Sequence, residues 1–489
     1  MRKLFIFFLM ITAVMHAQTG QFVPEMAALD ESIQQFMTQW NIPGGSVAVA
    51  KNGRLVYARG FGFADTSTDE LVQPTHRFRM ASLSKPITAT AIYHLVEEGK
   101  LSLQDHVFGQ DGILNDDEFL PLHDERFADI TIKQLLGHQG GTHRFGGNND
   151  PMFSPISIAE SLGIPPPAFQ NDIIRYMATT QNLEYTPGED QVYSNFGYAI
   201  LGRVIEHVTN KDYETYIKEE MMSELGAPSF NITKNLLADR QTNEVHYYDN
   251  ASSSLFPSIY GTGELVPGPY GGVNVEAMDS HGGWIATATD MLKFGLAIDG
   301  FSTRPDFISS SSIQTMRSYP VGFSNFGHGI LLYGGGAYHF GILPGASAEL
   351  DLNDYHQIAF VALFNSQSYN SSYVYSLDSA IWNGLVAVTN WPDHDLFEPI
   401  SATPTVSPMT ISVYPNPATD FIWFEFDHPT TFRFDIYDLT NKQIAHLQVD
   451  NATQKYQWQR PKNFVPGIYL VHIITDEGQS INKKIIILE

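Results

Sequence analysis

Ser82 and Lys85 stand three residues apart in the run Arg79-Met80-Ala81-Ser82-Leu83-Ser84-Lys85-Pro86, pairing a hydroxyl nucleophile with an amine able to take its proton. Apolar residues then recur every four positions, at Ile87, Ala91 and Leu95, with Ile92 and Val96 alongside. This is helical periodicity, and its i, i+3 geometry puts Ser82 and Lys85 on one face. Pro86 is tolerated in a first turn, where its missing N–H has little or no intrahelical partner. Free N–H groups and the dipole at a helix start favour developing negative charge, which is what acyl transfer requires. A Ser-x-x-Lys tetrapeptide is weak by itself, since about one chance match is expected in a chain this long. In isolation, an N-cap serine followed by a solvated lysine is the plainer account.

Two other constellations bear on Ser82. Tyr193-Ser194-Asn195 follows the turn Pro187-Gly188 and leads into a helix beginning near Phe196, so its phenol and amide are held between ordered elements. Tyr248-Asp249-Asn250 is a rival in a polar stretch with no element after it, and Tyr193 with Asn195 is preferred; the plainer account of Tyr193 is a buried tyrosine with a satisfied hydroxyl. His339-Phe340-Gly341 follows three glycines and precedes a strand pair, which places it at a strand edge able to pair with substrate. The other His-x-Gly matches, at His138 and His281, fall at a helix end and in a loop. No two histidines have metal-ligand helical spacing with an acid nearby, so neither a catalytic zinc nor any other cofactor is expected.

The elements that must position these residues follow from the pattern. The chain has 489 residues, 43% of them hydrophobic, enough for two or three domains. A helix over 26–40 precedes a hairpin of strands 45–50 and 55–63 joined at Asn52-Gly53. Helical periods dominate the middle, at 171–180, 196–208, 213–225 and 287–298, and strands return at 328–333, 347–352 and 358–364 before a closing helix at 373–388. Strands at both ends with helices between them predict an α/β (α+β) fold, an antiparallel sheet flanked by helices with an inserted helical lobe, over residues 22–390. Residues 391–408 read as a linker and 409–489 as a small all-β sandwich, whose plainest role is sugar binding.

Composition narrows the function further. With no cysteine, disulfides, thiolate zinc sites and a cysteine nucleophile are excluded. A formal net charge of −25 opposes binding to nucleic acid or to an anionic membrane. Met1-Arg2-Lys3 and the apolar run 4–14, ending near Ala17, predict a secretory signal peptide over 1–17, and no later run is apolar enough to span a bilayer.

In order and spacing, Ser82-Leu83-Ser84-Lys85, Tyr193-Ser194-Asn195 and His339-Phe340-Gly341 resemble the motifs of the serine β-lactamase-like superfamily, which includes class C β-lactamases, DD-carboxypeptidases, D-aminopeptidases and related esterases. Thr131-Ile132-Lys133-Gln134-Leu135-Leu136-Gly137-His138, Leu201-Gly202 and Gly282-Gly283-Trp284 resemble connecting stretches of that family. The resemblance implies that Ser82 forms an acyl-enzyme, that Lys85 and Tyr193 share the general-base work, and that Asn195 orients substrate and Lys85. It also implies an oxyanion hole from the N–H groups of Ser82 and Ile342, and substrate binding along His339, Phe340 and Gly341. Phe340 stands where carboxylate-binding members usually carry a hydroxyl, which favours esters or uncharged peptide ends. Protonation of His339 is expected to lower turnover below about pH 6.5.

The C-terminal Tyr414-Pro415-Asn416-Pro417-Ala418, Gly467-Ile468-Tyr469 and Lys483-Lys484-Ile485-Ile486-Ile487 resemble the type A sorting domain of the type IX secretion system. Together the resemblances imply a serine hydrolase, secreted or at the cell surface, that meets a small-molecule or peptide substrate and the type IX machinery. The alternative is a non-catalytic, penicillin-binding-like sensor.

Overall fold

The structure, a computed structural model, describes residues 18–142, 150–249, 255–324, 326–397, 411–438, 443–461, 464–475 and 480–488. The expected signal peptide, and the expected linker from residue 398 on, lie outside the described residues. The described chain divides after Phe397 into two compact units.

In the first unit, α1 (Ala27–Trp40) leads into the hairpin of β1 (Gly44–Lys51) and β2 (Arg54–Asp65). Asn52 and Gly53 both adopt positive φ, 53° and 73°, the conformation a type I′ turn requires. The chain then runs through β3 (Phe78–Arg79), the short turn of helix Ala81–Leu83, α2 (Ser84–Glu97), α3 (Gln170–Thr180), α4 (Asn195–Thr209), β4 (Asn231–Ile232), β5 (Trp284–Ala286) and α5 (Ala288–Leu296). It closes with β6 (Leu331–Tyr333), β7 (Gly336–Leu343), β8 (Ala346–Asn353), β9 (Ile358–Phe364) and α6 (Tyr373–Val386). The main sheet is antiparallel in the order β2-β1-β9-β8-β7-β6, with Gln18–Thr19 outside β2. The expected sheet with an inserted helical lobe is therefore present.

β9 is apolar throughout, and β1 nearly so at its centre, because both of their faces are covered. Val47, Val49, Phe360 and Phe364 pack with Leu29, Ile33 and Phe36 of α1 and Leu377 and Ile381 of α6. Ala48, Ala50, Val361 and Leu363 belong to the core that contains α2, α4 and α5. Burying each large apolar side chain stabilises the fold by about 1.5–3 kcal/mol, so the central strands anchor both layers.

The stretch around His339 is more ordered than its glycines predict. It is a full eight-residue strand, paired with β8 from Gly336↔Asn353 to Leu343↔Ala346. A Cβ at Gly336 would lie 2.2 Å from the Leu352 carbonyl oxygen, so this glycine permits close pairing rather than a turn. The helix expected over 213–225 is also different: Tyr213–Tyr216 is α-helical and Ile217–Met222 continues as a π-helix.

Residues 391–397, expected as the start of the linker, are held on the first unit. Asp395 accepts the Leu55 N–H at 2.9 Å and pairs with Arg304 at 2.6 Å.

The second unit contains β10 (Ile411–Tyr414), β11 (Phe421–Tyr437), β12 (Gln443–Gln459), β13 (Gly467–Thr475) and β14 (Ser480–Ile487). They form one five-stranded sheet, curled into a near-barrel, where a two-sheet sandwich was expected. The reason is β11: its first half pairs with β10, its second with β13, and β12 follows both halves through register shifts near Thr430. Ile422, Phe424, Phe432, Phe434 and Ile436 fill the interior.

Gly384 sets the closest approach of α6 to α1, since a Cβ there would lie 2.5 Å from Leu29 Cα. Gly384→Ala should lower stability by about 1–3 kcal/mol. Urea unfolding of the two proteins measures this, and coincident transitions would refute it.

Candidate active site

Ser82 sits where β3 turns into α2. Ala81 adopts φ of 48°, a left-handed conformation that costs a residue with a Cβ on the order of 1 kcal/mol. Two contacts hold this bend. β3 pairs with β5, and the buried Arg79 donates to Thr233 Oγ1, the Pro269 carbonyl and the Lys234 carbonyl at 3.1, 2.8 and 2.9 Å. Ser84 Oγ donates to the Ala81 carbonyl at 2.7 Å.

Lys85 is fully buried in the first turn of α2. Its Nζ lies 2.7 Å from Asn195 Oδ1, 2.9 Å from the His281 carbonyl and 3.2 Å from Ser82 Oγ. Burial disfavours the ammonium and brings its pKa down to about 7, with the carboxylate of Asp150 opposing the shift. Lowering it from 10.5 corresponds to about 5 kcal/mol of differential destabilisation of the charged form.

The Tyr193 hydroxyl donates to Ser82 Oγ at 2.8 Å. Burial pushes its pKa up, which keeps it a neutral phenol. Lys85 and Tyr193 are thus moved in opposite directions by one cause: near pH 7 the amine gives up its proton readily, while the phenol keeps its own. Tyr248, the rival phenol, instead accepts the Thr66 N–H at 2.7 Å.

Asn195 opens α4, capped by Ser194, whose Oγ accepts the Gly197 N–H at 3.0 Å. A second cap comes from Asp150, a residue with no motif to announce it. Its Oδ2 accepts the N–H groups of Asn195 and Phe196 at 2.6 and 3.2 Å. His138 and His281 also join the cluster in ways no His-x-Gly pattern conveys. The His138 ring lies 4.7 Å from the Tyr193 ring and its Nδ1 accepts the Ser194 N–H, while His281 contributes its backbone carbonyl to Lys85.

His339 is buried on β7, with its ring 6.4 Å from that of Tyr193. Its Nδ1 donates to the Phe340 carbonyl at 2.7 Å, which leaves Nε2 as the acceptor nitrogen. Burial, then the charge of Lys85, brings its pKa down to about 3. The expected loss of turnover near pH 6.5 through His339 is therefore corrected: this imidazole stays neutral there, and Lys85 is the group that titrates near 7.

Gly341 brings β7 against the serine turn. A Cβ there would lie 2.2 Å from the Met80 carbonyl oxygen and 3.1 Å from the Ser82 nitrogen, so only glycine permits the approach. The β6–β7 ladder ends at Tyr338, so that among the described residues the edge from His339 to Leu343 has no strand partner on that side. Ile342 lies on this edge. Phe340 does not join the cluster: alternation turns its ring to the other face of the sheet, 5.4 Å from Tyr338 in a cavity beside α6.

Comparison with known proteins identifies the family. The family model described as Beta-lactamase matches residues 29–379. The chain belongs to the Beta-lactamase family. A second model, the Secretion system C-terminal sorting domain, matches residues 412–488, so this member carries an export tail and is secreted or at the cell surface. Among curated relatives, Protein flp of Staphylococcus aureus (strain COL) is 29% identical over 197 residues, 40% of this chain and 36% of that protein. Penicillin-binding protein 4* of Bacillus subtilis (strain 168) is 26% identical over 285 residues, 58% of this chain and 56% of that one. The chain thus aligns with little more than a third to about half of the length of these relatives.

Solved structures share the fold. D-amino acid amidase from Ochrobactrum anthropi SV3, complexed with L-phenylalanine amide, superposes with TM-score 0.56 at 19% identity, over 75% of this chain and 99% of that one. EstCE1, a hydrolase with promiscuous acyltransferase activity, gives 0.56 at 20% identity, over 73% and 99%. The octameric penicillin-binding protein homologue from Pyrococcus abyssi gives 0.54 at 21% identity, over 95% and 96%.

Gly341→Ala must move β7 or the serine turn. It should slow labelling of Ser82 by a fluorophosphonate about 100-fold with the circular dichroism spectrum unchanged. A wild-type labelling rate would refute the close approach.

Proposed function

We propose that this family member is a secreted serine hydrolase that acts through an acyl-enzyme on an ester or amide. The observation that carries this reading is the placement of Ser82 Oγ between Lys85 Nζ at 3.2 Å and Tyr193 OH at 2.8 Å, with burial bringing Lys85 to about 7.

Lys85 is the general base. Asn195 Oδ1 and the His281 carbonyl can only accept, so they take the two N–H groups of a neutral amine, and its lone pair is left for the Ser82 proton. Ser82 Oγ attacks the substrate carbonyl as its proton moves to Lys85, and the N–H groups of Ser82 and Ile342 receive the oxyanion. Tyr193 is a neutral phenol that donates to Ser82 Oγ and passes a proton to the leaving group. Lys85 then restores the Tyr193 proton, and water releases the acyl group. Asn195, whose Oδ1 is committed to Lys85, offers its Nδ2 to the substrate, and neutral His339 and Gly341 form the wall of the binding strand.

The substrate class follows from what the strand lacks. With Phe340 facing α6, β7 presents no hydroxyl between His339 and Gly341 for a substrate carboxylate. Esters and amides with an uncharged acyl side are favoured over penicillin-like acids. The amidase and the promiscuous acyltransferase among the fold neighbours are compatible with this class.

Lys85 must be neutral to accept the proton, so kcat/KM on p-nitrophenyl acetate should rise with pH and reach half its plateau near pH 7. Below that, it should fall about tenfold per pH unit. Ser82→Ala should abolish acylation with nearly unchanged Tm, and His339→Gln should keep the limb near 7. Turnover by Ser82→Ala would overturn the assignment, and loss of the limb in His339→Gln would return the titration to that histidine. A sensor would acylate but not turn over.

We further propose that residues 1–17 are a signal peptide and that the chain crosses the outer membrane by the type IX route. Deleting 409–489 should abolish export and leave hydrolase activity intact; loss of substrate attachment with export preserved would make the second unit a binding module.

A further inference from the structure

On the face of the sheet opposite Ser82, β8 carries two acids in alternate positions, Glu349 and Asp351, and α6 places Asp378 over them. One carboxylate oxygen from each lies within 4.8 Å of the others. Two of the three side chains are buried, Glu349 at 0% exposure and Asp351 at 3%. Among the described residues, none of the three takes part in an ion pair with lysine, arginine or histidine.

Glu349 is the decisive member. Among the described residues, no N–H or O–H reaches either of its carboxylate oxygens, although both are fully buried and one is aimed into the cluster. The Asp378 carboxyl is within hydrogen-bond reach, acceptor against acceptor unless a proton lies between them. Asp351 is better satisfied, taking the Tyr333 hydroxyl at 3.0 Å and the Trp382 indole N–H. Burying an unpaired carboxylate is costly, and the cost is met either by keeping a proton or by coordinating a cation. Burial and the neighbouring negative charges push Glu349 far up, and burial pushes Asp351 up to about 7.

Space and donor chemistry favour the cation. One oxygen from each carboxyl, all within 4.8 Å of one another, is close enough for the three to share one calcium ion at about 2.4 Å. A cavity of about 400 Å³ adjoins the cluster, lined by Asp351 and Asp378 with Tyr338, Phe340, Tyr375 and Trp382, and has room for the waters that complete a coordination shell. The all-oxygen donor set without sulfur or imidazole selects a hard cation.

We propose that Glu349, Asp351 and Asp378 form a calcium site that ties α6 to β8 behind the catalytic strand. The register extends the effect: Phe340 pairs with Glu349 and Tyr338 with Asp351, so the bound ion braces the segment of β7 that flanks His339 and Gly341. A secreted protein meets free calcium at concentrations that even weak sites of this kind can use.

The experiment is calorimetric titration of the EDTA-treated full chain with CaCl2, alongside Asp378→Asn and Glu349→Gln, with Tm measured in calcium and in EDTA. The expected result is one calcium per wild-type chain, affinity at least tenfold weaker in Asp378→Asn, and a Tm that falls in EDTA for wild type but not for Glu349→Gln. Wild type without binding heat and with equal Tm in calcium and EDTA would overturn the site in favour of a shared proton. Equal responses in wild type and both variants would overturn it in favour of diffuse binding to an acidic surface. If Glu349→Gln fails to fold, Asp378→Asn, half-buried at the cavity, decides alone.

Discussion

The site depends on an amine buried without a counterion in contact. Lys85 has no carboxylate among its hydrogen-bond partners, and its two nearest acceptors are the neutral oxygens of Asn195 and the His281 backbone. Water would stabilise the ammonium far better than these two dipoles do, so the proton is held loosely. Asp150 sits close enough to oppose this effect but spends its carboxylate on the α4 N–H groups. The same burial that loosens the Lys85 proton tightens that of Tyr193. A single physical cause thus gives the two neighbours of Ser82 different protonation chemistry.

Keeping this amine dry requires four separate parts of the chain. The serine turn supplies the positive-φ bend at Ala81, α4 brings Asn195 under two caps, and the segment after Met278 turns the His281 carbonyl inward. β7 then closes the remaining side, as near as Gly341 permits. The sheet core fixes β7 through β8 and β9, both buried along their whole length, β9 by an apolar run. The pKa of one lysine is therefore supported by packing on the far side of the sheet.

That far side carries its own electrostatic tension. Acidic side chains of β8 face α6 in register with the residues that flank His339. The two faces of one strand pair thus hold complementary problems, a buried amine on one and buried carboxylates on the other. In each case, removal from water makes an ordinary side chain reactive toward a proton or an ion.

Much of this was legible in the residues. The hairpin at Asn52-Gly53, the helix after Ser82 and the strand at 358–364 follow from local periodicity and turn chemistry, which act over a few residues. The choice of Tyr193 over Tyr248 also came from local context, since only Tyr193 lies between a turn and a packed helix. β7 was harder: three glycines precede His339, and Gly336 and Gly341 prove to be points of close backbone approach within the strand. The near-barrel of the second unit hinged on bulges near Thr430 that leave no compositional mark.

Sequence by itself determined which groups this protein owns: a serine with an amine one helical turn away, a phenol, no cysteine, and an export tail. Only the tertiary structure decided how they titrate and what they face. Asp150, His138 and the His281 carbonyl reach the site from about 45, 55 and 200 residues away, by contacts that no spacing encodes. Charge state depends on what surrounds a group in space, and alternation on a strand decides which neighbour a side chain meets. His339 and Phe340 are adjacent in the chain, yet one faces the nucleophile and the other the acids.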